Sequence, residues 1–188
     1  MKTDREPREL MQRAIGFLQD QRLQKADRVA STLNLLGLLR SSLAQKPIPA
    51  KEIQEFKSKL SHLLTGENNS GGIYSYTTTC GIYAERGRLD GFEEACEMRS
   101  ILQILNDDFI DWNCIENPGI RDAFIEDLED IDETLRDVSD EAPPVREEDI
   151  PNWVSADHWW WRSPQQQNMS QAEIDRRLHY DWNDGVED

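Results

Sequence analysis

Cys80 and Arg86 bracket five residues, the Cys-x5-Arg spacing in which a thiolate attacks a phosphate ester cradled by backbone N–H groups. The intervening Gly81-Ile82-Tyr83-Ala84-Glu85 argues against that chemistry, because it sets bulk and a negative charge where the N–H groups would face the anion. Two carboxylate–imidazole pairs, Asp157 beside His158 and Asp175 one helical turn from His179, could each offer a cation two ligands. They lie far apart in the chain, so no metal site is expected from them. No Gly-x-x-x-x-Gly-Lys loop, Gly-x-Ser-x-Gly elbow or His-Glu-x-x-His helix occurs, and no cofactor is expected. Cys80, Cys96 and Cys114 are an odd set without a close pair, which rules out a disulfide scaffold and reads instead as small apolar residues, Cys96 on a helix face in particular. His62 reads as the rim of an apolar stripe. The remaining route to an enzyme needs carboxylates from different helices to converge in one cleft.

Recognition is the chemistry these residue types favour. Between Pro118 and Val138 the outward positions are almost all acidic (Asp122, Glu126, Asp127, Glu129, Asp130, Asp132, Glu133, Asp137), opposed by Arg121 and Arg136 alone. Like charges at i,i+4, such as Glu126 with Asp130 and Glu129 with Glu133, each cost a few tenths of a kcal/mol. Such a helix is either the solvated face of a bundle or a rod of carboxylates that imitates nucleic-acid phosphates or fills a basic cleft, where its charge speeds association. The candidate contact residues are Asp122, Glu126, Asp127, Glu129, Asp130 and Glu133. Direct nucleic-acid binding by this surface is disfavoured, since phosphate needs the opposite sign.

A second candidate set is Trp153, Trp159, Trp160, Trp161 and Arg162. Three consecutive indoles cannot share one face: they alternate in a strand and fan over roughly 200° in a helix. Either the rings pin a C-terminal arm to the helical body, or they offer another chain an anchor of the Trp/Arg type found at interface hot spots. Base stacking or a carbohydrate platform is poorly served beside so many carboxylates.

The elements that would position these residues are helices. Pro7 suits a first helical position, and Leu10, Met11, Ala14, Phe17 and Leu18 follow helical spacing. Leu23, Ala26, Val29, Ala30, Leu33, Leu36 and Leu39 continue the series after a bend near Gln19–Gln21, and Leu35–Leu39 is apolar most of the way round, as for a buried segment or a subunit contact. Past Pro47 and Pro49, Ile53, Phe56, Leu60, Leu63 and Leu64 form another stripe that Gly66 stops. The tract Ile73–Cys80 is rich in aromatic and β-branched residues, so a strand there competes with a helix start. A further helix runs from Leu89 through Phe92, Ala95, Cys96, Arg99, Leu102 and Leu105, and Ile120, Phe124, Leu128, Ile131, Leu135 and Val138 give the acidic helix a seam close to a 3.5-residue period. Ser170-Gln171-Ala172-Glu173 has the form of a capping box and predicts a last helix holding Ile174, Leu178 and Trp182.

The whole chain has 188 residues, 37% of them hydrophobic, with a net charge of −16, a mean hydropathy of −0.75 and a pI near 4.5. That is polar, yet sufficient for a core. The charge is polarised lengthwise: residues 1–65 carry 12 Lys/Arg against 7 Asp/Glu, net +5, and residues 66–188 carry 9 against 30, net −21. No apolar run approaches a membrane span and no secretory signal opens the chain, so no membrane partner and a cytoplasmic location are expected. Together these features predict a mainly α-helical bundle, with a body over 6–140 (a basic helical hairpin 6–65 and acidic helices 89–139) and a Pro/Trp-rich arm with a terminal helix over 141–188. The expected role is a non-enzymatic, acidic inhibitor or chaperone of a basic protein, nucleic-acid-binding or a toxin. The alternative is a structural homo-oligomer assembled through the helical seams.

Overall fold

A computed structural model describes residues 6–87, 91–140, 142 and 145–163, and among them the chain is helical without a strand. The apolar series of the first third breaks twice, giving α1 (Pro7–Gln19), α2 (Lys25–Leu33) and α3 (Leu36–Gln45). At the first break the Asp20 carboxylate accepts both the Arg22 backbone N–H (3.0 Å) and its guanidinium (2.7 and 2.8 Å), a local competitor to continued helix. The second break, at Asn34–Leu35, turns Leu35, Leu36 and Leu39 inward and leaves Leu38 on the surface. In α4 (Ala50–Thr65) Phe56, Leu60 and Leu64 form the buried stripe that their spacing predicts.

Residues Gly72–Arg86, which include the tract where a strand was one expectation, form α5. Two local causes decide against the strand. Gly71 takes a left-handed φ of 81° and ends the preceding loop, and the β-branched residues satisfy their hydroxyls within the helix, Thr77 donating to the Tyr74 carbonyl (3.0 Å) and Thr79 to that of Ser75 (2.8 Å). The face so made, Tyr76, Thr77, Cys80 and Ala84, is buried. Upstream, the buried Asn69 ties the loop down by donating to the carbonyls of Leu18 (3.1 Å) and Leu63 (2.9 Å).

After α5 comes α6 (Phe92–Ile104), which widens into a π turn over Leu105–Phe109, closed by the Ile110 N–H on the Leu105 carbonyl (2.8 Å). That turn aims Phe109 into the core, edge-on to Phe56 with centroids 6.1 Å apart. Pro118 at the first position and the Asn117 side chain, which accepts the Gly119 N–H, start α7 (Pro118–Val138). It packs mainly on α5, with α6 and the tryptophan segment as lesser neighbours. Residues 145–163 return across α6 and α7 and finish in a 3-10 turn, Trp159–Arg162. The helix expected from Ser170 lies outside the described residues. One apolar cluster joins α1 through α7 and includes Trp160 and Trp161. No helix among the described residues is long and apolar enough to cross a membrane.

Candidate partner-binding face

Helix α7 separates its two chemistries by angle. At 100° per residue, the buried Phe124, Leu128, Ile131 and Leu135 occupy a stripe of about 40–60°, and Asp122, Glu126, Glu129, Asp130, Glu133 and Asp137 occupy about 100° on the opposite side of the axis. All six acidic residues are exposed. They span fifteen residue steps, roughly 23 Å at 1.5 Å per residue, or about one charge per 4 Å; one strand of B-DNA carries about one per 3.4 Å. Among the described residues Asp122, Glu126, Glu129, Asp130 and Glu133 form no ion pair.

Several of the described cations are engaged elsewhere. Arg136, at the edge of the stripe, lies over the Trp159 ring, 4.9 Å from its centroid. In the first third, Arg8 pairs with Glu52, Arg40 with Asp108, and Lys46 with Glu6, and Lys25 and Arg28 donate to the carbonyls of Glu67 and Asn68. The part of α4 that borders α7 presents Leu64 and Thr65. Asp127 departs from the rest of the predicted acidic set: it is half-buried, and its Oδ2 accepts the Thr77 hydroxyl at 2.6 Å, tying α7 to α5. Asp132, outside that set, turns inward to Arg99.

The tryptophans divide in the same way. Trp160 and Trp161 are buried, 3% and 4% exposed. Both indoles donate to the Ser100 hydroxyl oxygen, at 2.9 and 2.8 Å, and Trp160 also reaches the Cys96 carbonyl at 3.2 Å. Arg99 covers the Trp160 ring 4.5 Å from its centroid, and His158 stacks on it at 4.9 Å. These two rings are therefore core residues. Trp153 and Trp159 are half-buried, and Trp153 lies so close to α3 that a Cβ at Gly37 would come within 2.6 Å of its ring. Arg162 is half-buried and pairs with Glu147 at 2.9 Å. The seam of α7 and most of Leu35–Leu39 are likewise covered within the chain.

Among the described residues, those with nucleophile or metal spacing do not come together. Cys80 sits on the buried face of α5 rather than in a loop, and burial pushes its thiol up to about 12. Burial raises the Cys96 thiol well above its ordinary range too, leaving both un-ionised at neutral pH. His158 is buried beneath the tryptophan turn and His62 is exposed on α4. Asp175 and His179 lie outside the described residues, and no group of three His, Cys, Asp or Glu among the described residues is placed to hold a metal.

Two features were not drawn from the sequence. One is the Ser100–Arg99 receptor for the tryptophans, whose trace is a serine on an otherwise apolar helix face. The other is a groove of about 370 Å³ where α4, α5 and α7 meet, walled by Leu64, Ile73, Tyr74, Ile120, Ala123 and Phe124, with Asp127 at its side. Comparison with known protein families, curated proteins and solved structures finds no match for this chain.

Proposed function

We propose that this protein binds a basic partner protein through the outer face of α7 and thereby blocks or chaperones a nucleic-acid-binding or toxic surface. The observation that carries the proposal is the carboxylate stripe, set opposite the core and without an ion pair among the described residues for Asp122, Glu126, Glu129, Asp130 and Glu133. A stripe of this charge density resembles one nucleic-acid strand to a cationic cleft, and counterion release makes such binding salt-sensitive. Asp122, Glu126, Glu129, Asp130 and Glu133 supply the charge. Asp127 holds the helix to α5. With Trp160 and Trp161 inside the core, Trp153, Trp159 and Arg162 are the members of the aromatic set left near the surface.

The test is a parallel capture from nuclease-treated lysate of the native host, with the wild-type protein and an E126Q/D130N/E133Q variant as baits and a salt gradient for elution. A stoichiometric basic protein should leave the wild type at moderate salt and be missing from the variant. Equal retention by both baits at equal salt rejects the proposal.

A further inference from the structure

We infer that the groove between α4, α5 and α7 receives a large apolar side chain from a basic amphipathic segment of the partner, so that the ligand of this face is an apolar anchor flanked by lysine or arginine. The inference rests on the proposed role of α7 and assigns it a specific pocket and ligand chemistry.

Tyr74, at the groove wall, is 68% exposed, against 39% for Leu38 and 44% for Ile82, the other large apolar residues exposed among those described. Its neighbours Ile73 and Ile120 are half-buried, so a continuous apolar surface is open to solvent there. On α7 the groove residues Ile120, Ala123, Phe124 and Asp127 occupy a sector that adjoins the acidic stripe. Ala123 precedes Glu126 by three residues and Asp130 by seven, which sets two unpaired carboxylates on the lip of the groove, one helical turn or about 6 Å apart. The Asp127–Thr77 hydrogen bond fixes that lip relative to α5, which carries Tyr74.

Complementarity favours an amphipathic ligand over simpler ones. A purely polar cation chain leaves Tyr74 and Ile120 wet, and a purely apolar one desolvates Glu126 and Asp130 without a partner. A helical segment with an aliphatic or aromatic anchor and basic residues at i,i+4 meets both demands, since its cations repeat at the spacing of the two carboxylates.

The probes are a dansyl-labelled helical peptide of leucine and lysine and a lysine/serine peptide of the same length and charge, titrated by fluorescence anisotropy at low and high salt. The proteins are the wild type, the E126Q/D130N/E133Q variant and a Tyr74→Ser/Ala123→Gln variant, which alters two exposed positions without altering charge. The wild type should prefer the leucine peptide by roughly tenfold, the scale of one buried apolar side chain. Tyr74→Ser/Ala123→Gln should erase that preference and leave the lysine/serine affinity and its salt slope intact. A preference that survives in this variant, or is missing from the wild type, overturns the groove assignment while the acidic face stands. If neutralising the stripe leaves both affinities and their salt slopes unchanged, the proposed function falls as well.

Discussion

Arg99 and Asp132 join α6 to α7 by a two-point ion pair, Nε to Oδ1 at 2.7 Å and Nη2 to Oδ2 at 3.1 Å. Their side chains are 5% and 18% exposed. The remaining guanidinium nitrogen donates to Gln103 Oε1 at 2.9 Å. Removing one partner strands the other charge out of water, a cost of about 3–5 kcal/mol, whereas replacing both with apolar residues is often near neutral. Asp132→Ala should therefore destabilise the protein by about that amount in urea unfolding, and an Arg99→Met/Asp132→Leu double variant should recover most of it. Losses of Arg99→Met and Asp132→Leu that simply add in the double variant would show that the charges are not coupled.

His158 makes stability depend on pH. Its ring is buried against Trp160, its Nδ1 has no hydrogen-bond partner among the described residues, and burial lowers its pKa from 6.5. Asp157 and Asp107 oppose that shift, and Arg40 and Arg99 reinforce it. A lowered folded-state value means that the unfolded chain takes up the proton first, so His158 costs no stability above pH 6.5 and destabilises the fold as pH falls below it. His158→Phe keeps a ring on Trp160 and should flatten this part of the pH profile. Identical wild-type and variant slopes between neutral and mildly acid pH would remove His158 from the account.

The three thiols should report how tightly the core is closed. Cys80 and Cys96 are buried, and Cys114 is half-exposed, its thiol donating to Asp111 Oδ2 at 3.2 Å. With a chromogenic disulfide reagent the native protein should show one prompt thiol and two that react only after denaturation. Three prompt thiols would contradict the packing of α5 on α6.

Stability and recognition should pull against each other along α7. The E126Q/D130N/E133Q variant relieves several i,i+3 and i,i+4 repulsions at a few tenths of a kcal/mol each, so thermal unfolding at low salt should show a gain of about 0.5–1 kcal/mol that shrinks as salt is added. A variant no more stable than the wild type at low salt would mean that the repulsion is already relieved.

Most helices were legible because their cause is local. Leu10, Ala14 and Leu18, then Phe56, Leu60 and Leu64, then Phe124, Leu128, Ile131 and Leu135 each mark a buried face by spacing alone. Helix α5 was ambiguous because tyrosine and threonine suit a strand, and only the backbone bonds of Thr77 and Thr79 show how a helix accommodates them. The acidic face was visible as composition. Its freedom from the basic helices was not, since that depends on α7 lying against α5. That the rings pin the arm to the helical body was one of two readings; which rings do so was out of reach for a similar reason, since Ser100, which receives both the Trp160 and Trp161 indoles, stands some sixty residues earlier in the chain.

That separation governs the order in which the molecule can be completed. A chain emerging from the ribosome presents α6 long before residues 159–161 exist, so the pocket around Ser100 and Arg99 stays uncovered while α7 and the returning segment are still being made. The last piece of the core to be synthesised among the described residues closes a loop of about sixty residues. Until it arrives, the nascent protein carries its acidic helix beside an uncovered site around Ser100, which the two tryptophans then fill.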